Sequence, residues 1–554
     1  MTDAKGQVIS YTYNSKNQVG NMKDQLGKTE TYEYDMNGYL IRKRDRRGQL
    51  TTYSYNNKNR LKRVDYADGS YTKNIYDAVG RLIRIEDSVS GSIQYAYSNT
   101  GCSTCEGVPD QVIQETTPLG LISYTYDVLG RRTTMTVAGQ PAVNYQYDAG
   151  SRLTEIDSMI NGVAAGFSLR YDTLGTRTSL IYPNGIRTNY SYDNASQVLN
   201  LEHLNPMHQI LESLSYTYDE DGNRISMNRT NASVNLPDSK SNITYNFANQ
   251  MTTFNDKSMA YDENGNLTFV TNSCGTTTYI WDAKSRLIAV NGFTSALTSG
   301  SNCEALSASF KYDSLGRRIE KTINGRTIQY LYDGQDIVQE IENGAISANY
   351  VRTLNIDEPL ARLTPNTTRF YQLDALGSVI GLTDEAGVLK TQYTYDPFGN
   401  VTVSVEGSDN PFQYTGREND GTGLYYYRAR YYSPELQRFI SEDPIGFVGG
   451  INFYSYVQGN PISHRDPKGE YSQFLFGAIA VLLIVAEVAN FLAWALHPEE
   501  EIPPEELEKV LPKPIDPLKE PPSKEKPPKL PTKDRPPKLP PKNRPMRSRC
   551  LPKK

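Results

Sequence analysis

An all-β chain of stacked hairpins is the fold class that this sequence predicts, and three observations predict it. The first is a recurrence. The second aromatic of a Tyr-x-Tyr pair returns at Tyr13, Tyr34, Tyr55, Tyr76 and Tyr97, four successive steps of 21 residues. The second is the sequel to the pair, as in Tyr124-Thr-Tyr126-Asp127 with Gly130-Arg131: an aspartate, then a glycine three positions on. The third is composition. Tyrosine (41) far outnumbers phenylalanine (15) and tryptophan (2), which suits strands whose rings pack while their hydroxyls stay near water.

Each element of the repeat has a local reason. Tyrosines at i and i+2 lie on one face of a strand. Aspartate at the first position of a turn accepts backbone N–H groups, and glycine at the fourth supplies the freedom that closes it. Arg-Leu or Arg-Ile then opens a second alternating strand, as in Gly80-Arg81-Leu82-Ile83-Arg84-Ile85. One unit cannot bury a face alone, so neighbours must stack into one long sheet. Because the period fixes the tyrosines to a structural place, the stripe is read as packing and not as a sugar-binding surface. Breaks of register at 98–123 and 230–258 read as insertions, and 292–306 as an exposed loop.

Length and charge bound the rest. At 554 residues the chain exceeds one ordinary hydrophobic core, which stops growing near ~250–300 residues. A net charge of −5 carries no nucleic-acid signature. Four histidines (203, 208, 464 and 497) and five cysteines are too few for Ser-His-Asp or multi-histidine metal chemistry, so no metal and no cofactor is expected. Cys102 and Cys105 form a lone C-x-x-C in a loop-like stretch, read as a loop insertion; Cys274, Cys303 and Cys550 have no assigned role. The N-terminus lacks a basic and apolar leader, so no signal peptide is read in it.

The richest stretch is 411–470. Two turns, Asp443-Pro-Ile-Gly446 and Asp466-Pro-Lys-Gly469, each set a carboxylate before a proline that forces extended geometry, and each ends on a glycine suited to positive φ. A basic aromatic run, Tyr425–Tyr432, precedes both. Two facing carboxylates share a proton through like-charge repulsion, leaving one acid and one base. His464, two positions before Asp466, reads as a solvated turn residue.

Residues 415–446, TGRENDGTGLYYYRARYYSPELQRFISEDPIG, closely resemble the core of the RHS and YD-repeat proteins. The likeness covers about 1–470, weakly in each repeat and strongly from 371. It implies that the ribbon spirals into a hollow shell and that the core acts as an intramolecular aspartyl protease, a single-turnover enzyme at most. Carried over by position, the resemblance implies Arg430, Asp443 and Asp466 as catalytic residues and Glu470–Tyr471 as the bond cut. Glu470 departs from that family's leucine at this place, and burying a third carboxylate beside the other two is costly without a partner.

The expected domains are a YD-repeat shell at 1–350, the core at 351–470, a hydrophobic helix at 471–497 and a disordered Pro-rich charged tail at 498–554. Phe474–Leu496 is 23 residues long with one carboxylate, Glu487, and is long enough to span a bilayer. The expected function is a shell that releases a membrane-active C-terminal segment held inside it, secreted or at the cell surface, with a delivery or immunity protein as further partner. The alternatives are a membrane-anchored surface or adhesion protein without enzymatic activity, and an inactive copy.

Overall fold

The computed structural model describes residues 6–98, 111–298 without 235 and 238, 303–470, and the backbone of 473–474. The expected membrane helix and tail, and the Cys102/Cys105 and Cys550 sites, lie outside the described residues; of Phe474–Leu496 only Phe474 falls inside, in a short strand. Among the described residues no helix is long and apolar enough to cross a membrane.

Strands dominate, and each pairs antiparallel with its neighbours in sequence. They form a 20-stranded sheet from Ser10–Tyr13 to Arg224–Arg229, and a 16-stranded sheet from Thr244–Tyr245 to Val401–Val405. The single long sheet is therefore divided, at the stretch between Arg229 and Thr244. The meander also runs on to Val405, well past residue 350 where the sequence repeat fades. Of two expected interruptions, the described residues belong to regular or buried structure. Val112–Thr117 and Gly120–Tyr126 are regular strands, and the first pairs with Gly91–Tyr97. In the supposedly exposed loop at 292–306, Ser295, Ala296 and Leu297 are buried, and Leu297 packs with Leu424 and Tyr426. A Cys274–Cys303 disulfide, with Cα atoms 5.3 Å apart, ties that loop to the turn after the strand Leu267–Asn272.

The turns follow the chemistry of their residues. Asp127 Oδ1 accepts the Leu129 and Arg131 N–H groups at 2.9 Å each, and Gly130 N–H donates to the Asp127 carbonyl. The glycine that closes such a turn has positive φ, as at Gly38, Gly130 and Gly316, and where glycine is absent Asn59, Ser151 or Ser196 adopts that conformation. The second tyrosine has a role beyond packing. Register slips just before it, between Ser54 and Tyr55 and between Ile75 and Tyr76, which bulges each hairpin. A leucine of the preceding hairpin then offers its carbonyl to the next unit's tyrosine: Leu40 to Tyr55 Oη, Leu61 to Tyr76, Leu82 to Tyr97, at 2.8–2.9 Å and 15 positions apart. Each unit thus completes the hydrogen bonding of the one before it.

The second sheet lies along the first. Tyr124 Oη donates to Asp333, 209 positions on, Arg317 pairs with Glu115 across 202, and Tyr182 Oη donates to the Tyr371 carbonyl across 189. One apolar cluster joins Ile122, Ile156, Phe167 and Leu180 to Leu331, Leu360 and Phe370. The 411–470 block packs on the second sheet through its aromatics. Tyr425, Tyr427, Tyr432, Phe439 and Tyr456 meet Tyr330, Tyr371 and Tyr393 in one cluster, while Tyr426 and Tyr431 join another with Phe310 and Tyr312. Its own strands are short: Glu418–Asn419, Tyr425–Tyr427, Arg430–Ser433 and Arg438–Phe439.

Candidate active site

Both Asp-Pro-x-Gly segments form the turns their residues imply, with Gly446 at φ 59° and Gly469 at φ 71°. The fold brings their aspartates together around one guanidinium. Arg430 Nη2 lies 2.8 Å from Asp443 Oδ2 and 3.4 Å from Asp466 Oδ2, so the two carboxylates are separated by no more than those two distances combined. Arg430 is itself fixed. It opens the strand Arg430–Ser433, its guanidinium stacks 3.6 Å from the Phe439 ring centroid, Nη1 donates to the Phe453 carbonyl at 2.9 Å, and Nε donates to the Gly469 carbonyl.

All three side chains are buried: Arg430 and Asp466 are 2% exposed and Asp443 is 8% exposed. Asp466 Oδ1 accepts the Gly469 and Glu470 N–H groups at 2.8 and 3.1 Å, closing its turn. Asp443 Oδ1 accepts the Ile445 N–H at 3.1 Å. Burial pushes the Asp443 carboxyl up to about 6; the charges of Asp466 and Glu470 add to that, while Arg430 and the Ile445 N–H oppose it. Repulsion between the paired carboxylates, the cause expected from the sequence, is therefore secondary to loss of water. Burial lowers the Arg430 pKa against the pull of both aspartates. Burial and the Asp466 charge also raise the Glu470 carboxyl, with Lys468 opposing.

The carbonyl oxygen of Glu470 lies near this centre. A Cβ on Gly449, which has no side chain, would collide with both Asp443 Oδ2 and the Glu470 carbonyl oxygen. Asp443 and the carbonyl of the expected cleavage bond thus both lie against Gly449. Tyr471, the residue beyond that bond, lies outside the described residues; the chain after it returns to pair Gln473–Phe474 with His464–Arg465. His464 is therefore half-buried in a strand and not a solvated turn residue. Among the described residues no cluster of histidine, cysteine and carboxylate side chains is arranged to hold a metal ion.

Several residues around the site had no signal in local sequence. Glu442, next to Asp443, pairs with Arg46 of the first sheet, whose Nη1 lies 3.1 Å from Glu442 Oε1 and 3.1 Å from Asp24 Oδ2. Arg428 pairs with Asp357 at 2.7 Å and Asp336 at 3.2 Å. Only the basic aromatic run hinted at these contacts, and it did not say with what.

A long antiparallel hairpin ribbon, packed on a tyrosine-lined block with a buried Arg–Asp–Asp centre, defines a YD-repeat shell. The sequence profile of the teneurin YD-shell family matches residues 1–103 and 168–462, and that of the RHS repeat matches 110–142. The chain belongs to the teneurin YD-shell family. It is 37% identical over 271 residues to the tRNA3(Ser)-specific nuclease WapA of Bacillus spizizenii, a match covering 47% of this chain and 11% of that protein. It is 42% identical over 105 residues to toxin subunit YenC1 of Yersinia entomophaga, covering 18% and 11%. With toxin protein Tse5 of Pseudomonas aeruginosa it shares 39% over 101 residues, covering 18% and 8%. The match thus spans about a tenth of the length of these curated relatives. Among solved structures, TcdB2-TccC3 superposes with a TM-score of 0.64 at 18% identity, over 83% of this chain and 29% of that one. That likeness is one of fold.

Proposed function

We propose that this chain is the shell of a toxin-delivery protein, and that its Arg430–Asp443–Asp466 centre cuts the Glu470–Tyr471 bond once to free the segment beginning at Tyr471. The observation that carries the reading is the close packing at Gly449, where a buried carboxyl with a pKa raised to about 6 and the Glu470 carbonyl oxygen both lie against the same glycine. Relatives named as a toxin subunit, a toxin protein and a tRNA nuclease support the delivery role.

The chemistry divides between the two acids. Asp443 in its protonated form donates to the Glu470 carbonyl oxygen and polarises it. Asp466, which already accepts two backbone N–H groups, takes a proton from a water that attacks the carbonyl carbon. The C–N bond then breaks, the proton passes to the Tyr471 nitrogen, and Glu470 ends as a free carboxylate. Arg430 orients both acids and the preceding carbonyl. The freed segment carries Phe474–Leu496, whose length and apolar character suit a membrane-active helix. Secretion and a delivery or immunity partner belong to the same proposal.

The test is the mass of the expressed chain. Wild type is expected as two pieces, one ending at Glu470 and one beginning at Tyr471, while Asp443→Asn and Asp466→Asn stay whole. Gly449→Ala, whose backbone takes no positive φ, puts a methyl group against both acid and carbonyl and is expected to stay whole too. Because Asp443 must be protonated, the cleavage rate should fall about tenfold per pH unit above pH ~6. A second reading rests on Glu470, which adds a third carboxyl beside the centre. A whole wild-type chain recovered with membranes would favour an anchored surface protein instead.

A further inference from the structure

The loop that carries the cleavage bond is held in an ordered way. Tyr427 and Arg430 pair across the hairpin of Tyr425–Tyr427 and Arg430–Ser433, leaving Arg428 and Ala429 as its two-residue tip. Arg428 takes the left-handed conformation this tip requires, at φ 57°. Three consecutive residues there bind three consecutive carbonyls of the loop. Arg428 Nη1 donates to Pro467 O, Ala429 N–H donates to Lys468 O at 3.1 Å, and Arg430 Nε donates to Gly469 O. The next carbonyl, that of Glu470, is the one beside Asp443 and Gly449.

Register along this track is restricted at two points. Gly469 lies so close to the Tyr427 carbonyl oxygen that a Cβ would collide with it, and its φ is positive. A slip of one residue would force Lys468 or Glu470 into that place. The other point is Arg428. Its Nη2 reaches Asp357 Oδ1 at 2.7 Å and Asp336 Oδ1 at 3.2 Å, and its Nη1 reaches Asp357 Oδ2 at 3.1 Å. Asp336 opens the strand Asp336–Glu342 and Asp357 precedes Pro359–Leu363, so the anchor belongs to the second sheet and not to the core block.

We propose that Arg428, anchored by Asp336 and Asp357, is a positioning residue that fixes which peptide bond of the 467–470 loop is presented to Asp443. The planar fork suits this task. Most of the guanidinium's donors are spent on two fixed carboxylates, and a remaining N–H on Nη1 meets a single backbone carbonyl. This role rests on the cleavage reading above and adds to it a determinant of where and how fast the chain is cut.

The experiment follows both the rate of cleavage and the exact masses of the pieces for the full chain and for Arg428→Gln, Arg428→Lys and Gly469→Ala. Arg428→Gln should cut at least tenfold more slowly, with some product ending at 469 or 471. Arg428→Lys should cut at an intermediate rate, because one ammonium cannot serve Asp357, Asp336 and Pro467 together. The pH midpoint of cleavage should stay that of wild type, since Asp443 is untouched. Gly469→Ala should scatter the cut sites by the independent route of moving the loop off the tip. Asp357 keeps Arg417 and Asp336 keeps Arg352 when Arg428 is replaced, so neither carboxylate is stranded. If Arg428→Gln does not fold, Arg428→Lys, which keeps the charge, decides the question. Wild-type rate and a single cut after Glu470 in the Arg428 variants would overturn this proposal alone. A shifted pH midpoint would overturn it in favour of an electrostatic effect on Asp443, and a whole wild-type chain would overturn it together with the cleavage reading.

Discussion

Repeat turns of the ribbon such as Asp127–Arg131 and the 411–470 block use the same residue pair, arginine with aspartate, in opposite ways. In such turns of the ribbon the partners are four positions apart: Arg131 with Asp127 at 2.6 Å, Arg286 with Asp282 at 2.7 Å, each side chain 12–24% exposed. In the block they come from distant segments and meet away from water. Arg318, with 0% of its side chain exposed, pairs with Asp420 and Glu418, and Lys321 joins Asp420 at 3.0 Å. A local pair in a wet turn supports a conformation that the turn already favours. A buried, distant pair makes each partner's presence a condition for tolerating the other.

That contrast is open to measurement, and the largest effect should come from the buried network. Arg318→Met leaves Asp420 with Lys321 alone and takes the guanidinium from Glu418, and should cost roughly 3–5 kcal/mol in urea unfolding. A loss below about 1 kcal/mol would mean that the block's ion pairs behave like those of the ribbon. Next comes Cys274→Ser. The Cys274–Cys303 bridge closes a 29-residue separation around the buried Thr294–Ala296 turn, so its loss should cost about 3 kcal/mol under oxidising conditions and nothing under reduction.

The pH dependence is smaller and has a definite sign. The folded chain holds the Asp443 proton more tightly than the unfolded chain does, with a value of about 6 against an ordinary 3.8. Its stability contribution is therefore full below pH 3.8 and is lost as pH rises through 6, by on the order of 2–3 kcal/mol. Asp443→Asn should flatten that decline in a series of melts between about pH 4 and 7, and an unchanged slope would assign it to other groups. Smallest is Arg286→Ala in the ribbon. It removes a turn pair and a stack on Tyr312 at 4.9 Å, and should cost about 1 kcal/mol in the same unfolding assay.

The same contrast explains how much could be read from sequence. The hairpins, their turns and the tyrosine face follow from spacings of two to four residues and a repeat of 21, all of which a chain displays without folding. Asp443, Asp466 and Arg430 were legible through resemblance and through the two Asp-Pro-x-Gly turns, and the fold does bring the three together. The division into two sheets, the partnering of Cys274 with Cys303, and the anchoring of Arg428 by Asp336 and Asp357 were not legible. Each depends on how the ribbon lies against itself or against the block, and no local periodicity encodes that. Even the cause of the Asp443 shift was misassigned, because burial at one residue is set by packing contributed from far along the chain.

The tyrosine that caps the previous unit's open carbonyl gives the wall a direction. Tyr55 bonds to Leu40, Tyr76 to Leu61 and Tyr97 to Leu82, so in this bond each new unit reaches back to material already made. A chain emerging from the ribosome could lay such a wall course by course, with Asp443 and Asp466 arriving only after both sheets are made.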